Sequence, residues 1–350
     1  MAKNVIGFML VDAPHSALNN AGSDVGERTD NIVKVKLIRR GKDSYPYVSG
    51  QAVRYWWRDT LQSKFEWKLS PIERKEKIAF TAANPVEYAD DDIFGYMRAL
   101  KKDKKSEEKN KKEYVKDKTE EGGTVTRLSP LKNSPLISVI SQIPTNDFGV
   151  MARHEGNPVP YEHEFYSTVL KGIFSLDLDR VGIFYGKEKT GYKNMYSKLE
   201  EIAKEKGAEK DGDRWVMPKD VRIKRAKEAI AVLPYISGGA KQTPHLTDVS
   251  PKFLVLAVLD GGNHIFMNIA KEDNRETTIS IDALKEVIND YSDCLLTNIY
   301  IGRREGFMDE IDEKIKGLVK EYENKEKKII YKSINEVVKD FVEEIPKFIK

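Results

Sequence analysis

The sequence predicts an α+β fold, and two patterns support this prediction. Residues 4–11 and 253–259 are short apolar runs with β-branched side chains, which are typical of buried strands. Over residues 51–65 apolar side chains recur every four positions, as they do along the buried face of a helix; they are Val53, Trp57, Leu61 and Phe65. The order of strands and helices favours a ferredoxin-like or RRM-like sheet with helices on one face.

The N-terminal elements can be predicted in order. The first strand should end at Asp12-Ala13-Pro14, because residues 12–31 are rich in turn-forming Asn, Gly, Ser and Asp. Apolar and basic side chains alternate over residues 32–38, which predicts a strand with one solvent-exposed, positively charged face. After a turn at 41–44, a helix should follow Ser49-Gly50; its second face carries Gln51, Arg54 and Arg58.

Regular structure is predicted again in the second half of the chain. Within residues 164–186 polarity alternates from Ile173 to Asp179, which indicates a half-exposed strand with Ser175 on the polar side. The other predicted elements are a helix at 219–233, a Gly-rich loop at 236–248, a β-hairpin of residues 253–259 and 264–270, a helix at 282–291, a strand at 296–302, and helices near 308–322 and 333–349.

Residues 70–160 lack such a pattern and contain repeated prolines. Within this region, residues 98–123 carry mixed charges and almost no apolar side chains. Segments of this composition cannot bury enough apolar surface to fold alone. We therefore expect residues 98–123 to be an insertion that is disordered unless a partner orders it.

Composition excludes several classes of protein. No apolar run approaches about 18 residues, so neither a transmembrane helix nor a membrane partner is expected. The N-terminus is interrupted by Asp12 too early for a signal peptide. Cys294 is the single cysteine, which excludes an internal disulfide and a cysteine-ligated zinc site. A cytoplasmic location follows as the expectation.

Positive charge is concentrated in one segment. The net charge of the chain is only +3. Residues 34–68, however, contain nine Lys and Arg side chains against Asp43, Asp59 and Glu66, a surplus of six positive charges. Such a concentration suits a phosphate backbone. A lysine-rich, solvated surface without a ligand is the alternative.

The segment SGQAVRYWWRDTL (49–61) is the strongest candidate for a binding site. A helix that starts after Ser49-Gly50 presents free backbone N–H groups, which can hold a phosphate. Arg54 and Arg58 extend the positive charge along the same helix. An ordinary amphipathic helix with exposed arginines is the competing interpretation.

The second candidate is the Gly-rich segment ISGGAKQTPHLTD (236–248). Two glycines let a backbone approach a ligand closely, and Lys241 and Gln242 could hold phosphate and sugar. The segment lacks the GxxxxGK[ST] spacing of a P-loop. A simple connection between a helix and a strand would explain it equally well.

Catalytic and metal-binding signatures are weak. Asp24 and Asp30 lie in a polar loop, but two acidic residues alone do not make a nuclease site. HEGNPVPYEH (154–163) has no trusted metal-ligand spacing, and GxSxG, HExxH, CxxC and GxGxxG are absent. We expect no catalytic residue, no metal and no cofactor.

Several segments together resemble the DevR family of CRISPR proteins. The opening ALNNAGSDVGERTDNIVKVKLIRRGKDSYPYVSGQAVRYWWRDTL carries the resemblance first. DDIFGYM, TRLSPLKNSPLISV, EHEFYSTVLKGIFSLDLDRVG and SGGAKQTPHLTD follow in the order that the family has. The resemblance covers roughly residues 5 to 260. This family, within the RAMP superfamily, supplies the backbone subunit of type I Cascade complexes, and subtype I-B is the expectation.

The resemblance implies an α+β protein with an RRM-like (ferredoxin-like) palm that carries finger and thumb insertions. It places the palm at residues 1–69 and 161–305, a finger-like insertion at 70–123, a thumb-like insertion at 124–160 and C-terminal helices at 306–350. It also implies partners: CRISPR RNA, target DNA paired with that guide, further copies of the chain and other Cascade subunits. In such ribonucleoproteins the protein reads backbone shape and leaves the sequence to base pairing.

The resemblance also implies which residues bind RNA. The helix start that grips the RNA backbone corresponds to Ser49, Gln51, Arg54 and Arg58. The loop beside it corresponds to Asn19, Asn20 and Arg28, and the Gly-rich loop facing RNA to Lys241 and Gln242. The thumb corresponds to Arg127, Lys132 and Arg153.

Two other functions stay open. In type III relatives an aspartate of the corresponding loop cleaves target RNA, and Asp30 resembles it. The DevR pattern and its DNA-targeting context instead favour a structural Asp30 and a non-enzymatic subunit. The tryptophan-rich helix and the C-terminal helices would also suit a protein scaffold that binds no RNA.

Overall fold

The structure is a computed structural model, and it describes residues 2–24, 32–75, 78–100, 123–152 and 155–350. Among the helices of these ranges, none has the length and apolar character needed to cross a membrane. The strands are β1 (Lys3–Ser16), β2 (Asn20–Asp24), β3 (Ile32–Val35), β4 (Leu37–Arg40), β5 (Asp43–Val48), β6 (Glu73–Lys75), β7 (Ile78–Phe80), β8 (Tyr96–Leu100), β9 (Gly123–Arg127), β10 (Leu131–Asn133), β11 (Leu136–Ser138), β12 (Thr145–Met151), β13 (Val159–Asp177), β14 (Ile183–Tyr185), β15 (Glu209–Asp211), β16 (Arg214–Val216), β17 (Phe253–Asp260), β18 (Ala270–Asp273), β19 (Glu276–Ile279), β20 (Ile299–Arg303) and β21 (Ile329–Lys332).

Eight α-helices lie within the described residues. They are α1 (Gly50–Phe65), α2 (Ala89–Phe94), α3 (Ser197–Glu205), α4 (Lys219–Ala231), α5 (Gln242–His245), α6 (Ile281–Asp290), α7 (Asp312–Glu321) and α8 (Ile334–Val342). The chain divides into two compact units. The first comprises residues 1–60, 133–175 and 230–344, and the second comprises residues 61–132, 176–229 and 345–350.

The first unit is built on a large mixed sheet with the strand order β21-β20-β17-β1-β13-β11-β5-β4. The apolar strand β1 is antiparallel to β17 from Lys3 opposite Asp260 to Leu10 opposite Phe253. Beyond β17, β20 is antiparallel to it and β21 is parallel to β20. Strands β1 and β17 are almost entirely buried, as strands covered on both faces must be.

Both faces of this sheet carry apolar side chains. On one face Phe8 and Phe253 meet edge to face, with ring centroids 6.4 Å apart, inside a core that includes α6 and α7. Elsewhere Trp57 of α1 contacts Phe174 of β13 edge to face at 5.2 Å. A Cβ at Gly7 would lie 2.1 Å from Cζ of Phe174, so Gly7 makes room for that ring. This packing fixes α1, which bears the predicted binding residues, on the sheet.

The second unit has its own smaller core. Strands β14, β16 and β15 form a three-stranded antiparallel sheet. Phe184, Leu199 and Trp215 are buried together there. A second feature is the buried carboxylate of Asp92, which accepts hydrogen bonds from Arg127 and, at 2.7 Å, from Nη1 of Arg225. A buried charge of this kind is tolerated only when it is paired.

Many predicted elements are confirmed. The strand at 4–11, the helix at 51–65 and the helix at 219–233 correspond to β1, α1 and α4. The predicted elements at 282–291, 296–302, 308–322 and 333–349 correspond to α6, β20, α7 and α8. The predicted strand at 32–38 is divided into β3 and β4. Val53, Trp57 and Leu61 are buried as predicted.

The predicted β-hairpin of residues 253–259 and 264–270 is wrong. Strand β17 has β1 and β20 as its neighbours, and Ile265–Asn268 form a 3-10 helix that buries Ile265 and Phe266. The hairpin that does form joins β18 and β19. Short apolar runs such as 264–270 suit a strand and a helical turn equally, so periodicity could not decide between them.

Two smaller predictions also fail. Strand β1 does not end at Asp12 but continues to Ser16, and β2 occupies part of the predicted loop. Strand β13 begins at Val159, before the predicted region 164–186, and ends at Asp177, and Ser175 is buried rather than exposed. Both strands belong to a wide sheet that other elements cover. Polar side chains are buried there, although the alternation of polar and apolar residues predicts that they face solvent.

The predicted mixed α and β composition is confirmed, with its large sheet and its helices. The RRM-like palm with finger and thumb insertions, and the residue limits of those parts, stay predictions. Most of the predicted disordered segment 98–123 lies outside the described residues. At its two ends, Leu100 of β8 pairs with Gly123 of β9.

Candidate nucleic-acid interface

The start of α1 is organised by two side chains. The Ser49 hydroxyl accepts a hydrogen bond from the backbone N–H of Ala52 at 3.4 Å, the usual contact of a helix N-cap. Asn133 donates from Nδ2 to the carbonyl oxygen of Gly50 at 3.1 Å. A Cβ at Gly50 would lie 3.4 Å from that Nδ2, so Asn133 is in van der Waals contact with the helix start. Gln51 is exposed beside this first turn.

Asn133 also holds Arg54. Its Oδ1 accepts a hydrogen bond from Nη1 of Arg54 at 3.2 Å. Burial, followed by repulsion from Arg58, lowers the pKa of Arg54 from 12.5 to about 10. Arg54 therefore stays charged at neutral pH, but its charge is desolvated and has a second cation nearby. An anion bound at this position would stabilise both arginines.

The two asparagines after β1 lie beside the same helix start. Asn19 donates from Nδ2 to the carbonyl oxygen of Tyr47 at 3.4 Å, two residues before Ser49. Its own carbonyl oxygen accepts from the N–H of Lys36 at 3.1 Å. Oδ1 of Asn20 is buried and has no hydrogen-bond partner within the described structure. Buried polar atoms are normally paired, so this oxygen lacks the partner that such an atom usually has.

The Gly-rich loop packs directly on α1. A Cβ at Gly238 would lie 2.4 Å from Cδ1 of Trp56, and one at Gly239 would lie 2.6 Å from Cδ2 of Leu18. Both glycines have positive φ, at 146° and 105°. Glycine is required at these two positions for both reasons. The loop therefore contacts both helix α1 and the residues that follow strand β1.

Backbone hydrogen bonds fix the loop in this place. The N–H of Ser237 donates to Oγ1 of Thr60 at 3.2 Å, and the N–H of Ala240 donates to the carbonyl oxygen of Leu18 at 3.0 Å. The segment 18–20, helix α1 and the loop 236–248 thus meet in the first unit. They are three of the segments that sequence reasoning predicted to act together.

Lys241 and Gln242 lie in the loop with different surroundings. Lys241 adopts a left-handed backbone conformation, with φ of 54°. Nε2 of Gln242 donates to the carbonyl oxygen of Gly238, so this amide stabilises the loop itself. Lys241 is therefore the better candidate for a phosphate contact, and Gln242 is the residue that shapes the loop.

A second pair of neighbouring cationic side chains lies on the large sheet. Burial, followed by repulsion from Arg40, lowers the pKa of Lys171 on β13 below its ordinary value. Arg40 belongs to β4, at the basic end of the segment 34–68. The first unit therefore holds two pairs of neighbouring cations, Arg54 with Arg58 and Arg40 with Lys171. Clusters of like charge attract polyanions such as nucleic acid.

Arg127 corrects the sequence-based assignment. Its side chain is buried in the second unit, stacked on Phe184 with the guanidinium carbon 4.6 Å from the ring centroid. Its nitrogens donate to the carboxylate and carbonyl oxygens of Asp92 and to the carbonyl oxygens of Ile183 and Arg180. Arg127 is thus an internal ion-pair partner, and we omit it from the proposed RNA contacts.

The other predicted residues fall into two groups. Lys132 is exposed, next to Asn133 in the sequence. Arg28, Arg153 and Asp30 lie outside the described residues. Within the described part of the chain, no group of three or more His, Cys, Asp or Glu side chains is arranged to hold a metal ion.

Comparison with known proteins assigns the family. Residues 11–279 match the family described as CRISPR-associated negative auto-regulator DevR/Csa2. The chain belongs to the DevR/Csa2 family. The DevR family predicted from the sequence motifs is therefore confirmed, and the match extends past the Gly-rich loop to β19. No curated protein matches this DevR/Csa2 chain.

Solved structures show the same fold for this DevR/Csa2 chain. A chain of a "CRISPR RNA-guided surveillance complex" aligns with a TM-score of 0.50 and 11% identity, covering 97% of this chain and 98% of its own. A chain of a "CRISPR RNA-guided surveillance complex, pre-nicking" aligns with a TM-score of 0.52 and 11% identity, covering 98% and 100%. At this identity the similarity concerns the fold.

Sequence reasoning missed Asn133 and Trp56 in this DevR/Csa2 chain. Asn133 stands inside the quoted motif TRLSPLKNSPLISV, but nothing in the motif signals its contact with a helix start so distant in sequence. Trp56 precedes Trp57, which the helical spacing assigned to the core. Trp56 is a large aromatic residue next to the apolar face that Trp57 belongs to. Its presence could have indicated that another element covers that side of the helix.

Proposed function

We propose that this DevR/Csa2 chain is a non-catalytic backbone subunit of a type I Cascade complex that binds CRISPR RNA. Several copies polymerise along the guide and present it for base pairing with target DNA in antiviral defence. Family membership and the fold shared with chains of surveillance complexes support this role. The observation that carries the proposal is the convergence of Asn19 and Asn20, helix α1 and the Gly-rich loop in one unit.

Each part of this interface suits one component of an RNA backbone. The first turn of α1 and Arg54 offer N–H donors and positive charge to phosphate. Lys241 adds a cation on the neighbouring loop. Asn20 carries an amide oxygen that is buried in this structure; once RNA binding exposes it, it would accept a hydrogen bond from a ribose hydroxyl, which DNA lacks. None of these groups addresses a base edge, so the grip is independent of sequence.

A polymerising subunit also needs contacts with its own copies. Strand β12 and the start of β13 form an antiparallel hairpin, in which Phe148 and Val150 are each 55% exposed. Met151 and Val159 of the same hairpin are exposed as well. Exposed apolar groups of this kind mark contact surfaces. The hairpin lies largely within the predicted thumb, and we propose that it covers the RNA and the next copy.

The non-catalytic role rests on the type I character of the family motifs. The alternative, cleavage of target RNA through Asp30, is separable by one variant. Incubating the purified complex with complementary RNA and Mg²⁺ should yield no cleavage, and Asp30→Ala should leave the RNA equally intact. Metal-dependent cleavage that disappears in Asp30→Ala would establish the type III-like function instead.

The RNA grip is tested by the salt dependence of binding. The affinity of the chain for a CRISPR RNA should fall steeply with salt, because phosphate contacts release counterions. Arg54→Ala should weaken binding to all RNA sequences alike and reduce the slope of log affinity against log salt by about one. Lys271→Ala, which removes an exposed cation on β18, is the matched control and should change neither quantity. A changed sequence preference with unchanged affinity would contradict the backbone grip.

A further inference from the structure

Three histidines from distant parts of the sequence meet next to the Gly-rich loop. They are His15 at the end of β1, His163 on β13 and His245 at the end of α5. The ring centroids of His15 and His245 are 4.6 Å apart, and those of His163 and His245 are 5.8 Å apart. Phe165 closes the group, with its ring centroid 4.2 Å from that of His15. The proposed RNA contacts do not use these imidazoles.

The contact between His15 and His245 is a direct hydrogen bond between imidazoles. Their Nδ1 atoms are 2.8 Å apart. One nitrogen must carry the proton and the other must accept it, because two N–H groups cannot bond to each other. Nε2 of His245 is buried without a hydrogen-bond partner within the described structure, whereas His15 is exposed. This assigns the proton to Nδ1 of His245 and leaves its buried Nε2 unprotonated.

A second proton on this pair would break the bond. Protonation of His15 at Nδ1 removes the acceptor, and protonation of His245 at Nε2 buries an N–H without a partner. Burial lowers the pKa of His245, and His15, His163 and Lys241 lower it further, while Asp147 acts in the opposite direction. Asp147 on β12 also pairs with His163, with Nε2 and Oδ2 3.4 Å apart. The hydrogen bond is therefore stable only while a single proton lies between the two Nδ1 atoms and both imidazoles are neutral.

The hydrogen bond restrains the second half of a segment whose first half is attached to Leu18 through the N–H of Ala240. Between Gly239 and Asp248 both Lys241 and Leu246 have left-handed backbone conformations, with φ of 54° and 46°. Such conformations are unfavourable for residues with a Cβ, and the Leu246 side chain is 86% exposed. The segment is held at its far end by Oγ of Ser16 and Oγ1 of Thr247, 2.7 Å apart. The bond between His15 and His245 is the attachment nearest to Lys241 and Gln242 on that side.

We propose that the His15–His245 pair positions the Gly-rich loop for RNA and releases it when the pair takes up a second proton. This inference rests on the proposed function, since it concerns the RNA contact of Lys241. His15 and His245 are positioning residues that act through the loop. Acidification then weakens RNA binding, although each added proton by itself attracts phosphate. The sign of the effect therefore distinguishes loop release from simple charge.

His15→Asn is the decisive variant. An asparagine oxygen occupies the place of Nδ1, accepts the same hydrogen bond from His245 and does not titrate. Wild type and H15N should bind a CRISPR RNA equally at about pH 7.5, and at about pH 5.5 wild type should bind roughly fivefold more weakly, the effect of losing one hydrogen bond. H15A lacks the bond at every pH and should show the weaker binding at both values. Equal RNA affinity of wild type and H15N at both pH values would overturn the proposal.

A measurement without RNA separates this proposal from the proposed function. Hydrogen exchange of the free protein should show the amides of residues 240–247 less protected in wild type than in H15N at the lower pH, after correction for intrinsic rates. If RNA fails to bind at either pH while this difference appears, the RNA-binding function is wrong and the proton-dependent attachment stands. Equal protection in the two proteins would refute the attachment whatever the RNA result.

Discussion

Asn133 joins Arg54 to the first turn of the helix that carries it. One end of its amide accepts from Arg54 and the other donates to the carbonyl oxygen of Gly50. Asn133→Ala should therefore weaken RNA binding through Arg54, by about 1 kcal/mol, the contribution of an ordinary hydrogen bond. The double variant with Arg54→Ala should lose less affinity than the sum of the two single losses, because both changes remove the same contact of Arg54.

Binding assays on the two single variants and the double variant measure this coupling. Asn298, which accepts from the backbone of Lys328 in the same unit, offers a matched control as Asn298→Ala. That variant should leave RNA affinity unchanged. Strictly additive losses for Asn133→Ala and Arg54→Ala would contradict the structural link between them.

Gly238 provides a test of the loop with a well-matched control. Gly238→Ala introduces a Cβ 2.4 Å from Trp56 at a φ of 146°, whereas Gly261→Ala introduces one at a φ of 143° with no atom within 4 Å. The two variants share the backbone strain and differ in the collision. Gly238→Ala should lower RNA affinity more than tenfold, a displaced loop costing about 1.4 kcal/mol or more, and Gly261→Ala should not. Similar affinities for the two variants would show that the packing on Trp56 is unimportant for RNA.

Arg127 should affect stability instead of RNA affinity. Removing it leaves the buried Asp92 with one cation fewer, and breaking a buried pair of this kind costs about 3–5 kcal/mol. We expect Arg127→Ala to lower the midpoint of chemical denaturation strongly. Lys132→Ala, five residues away and exposed, should leave the midpoint unchanged. An Arg127→Ala protein of normal stability that has lost RNA affinity would restore the assignment made from the sequence.

The exposed hairpin of β12 and β13 should matter for assembly. Replacing Phe148 and Val150 by Ser removes apolar surface through which we propose that the hairpin contacts the RNA and the next copy. Complexes with a long guide RNA should then contain fewer copies, as measured by mass photometry. Met267→Ser, at another exposed apolar position, serves as the control and should assemble normally. Unchanged assembly of the hairpin variant would exclude this contact surface.

Local patterns predicted the elements of the interface but not the contacts between them. Helix α1 and the Gly-rich loop could be identified because helical spacing and paired glycines are local signals. Their meeting depends on Trp56 and Leu18 fitting against Gly238 and Gly239, which no local pattern encodes.

The failures have the same origin. The hairpin at 253–270 was predicted because neighbouring apolar runs suggest pairing, yet β17 pairs with β1, more than two hundred residues earlier. Arg127 looked like a surface cation because its motif does not show that Asp92 lies beside it. Asn133 has an ordinary sequence setting, and its role appears only where residues 79 positions apart meet.

The central claim is that this chain holds CRISPR RNA. The most direct test purifies the protein from its native host with its associated complex, extracts the nucleic acid and sequences it. Short RNAs composed of repeat and spacer are the predicted result, and their loss from the Arg54→Ala, Gly238→Ala double variant would link them to the interface. Recovery of the intact complex without RNA would contradict the account and favour a protein scaffold.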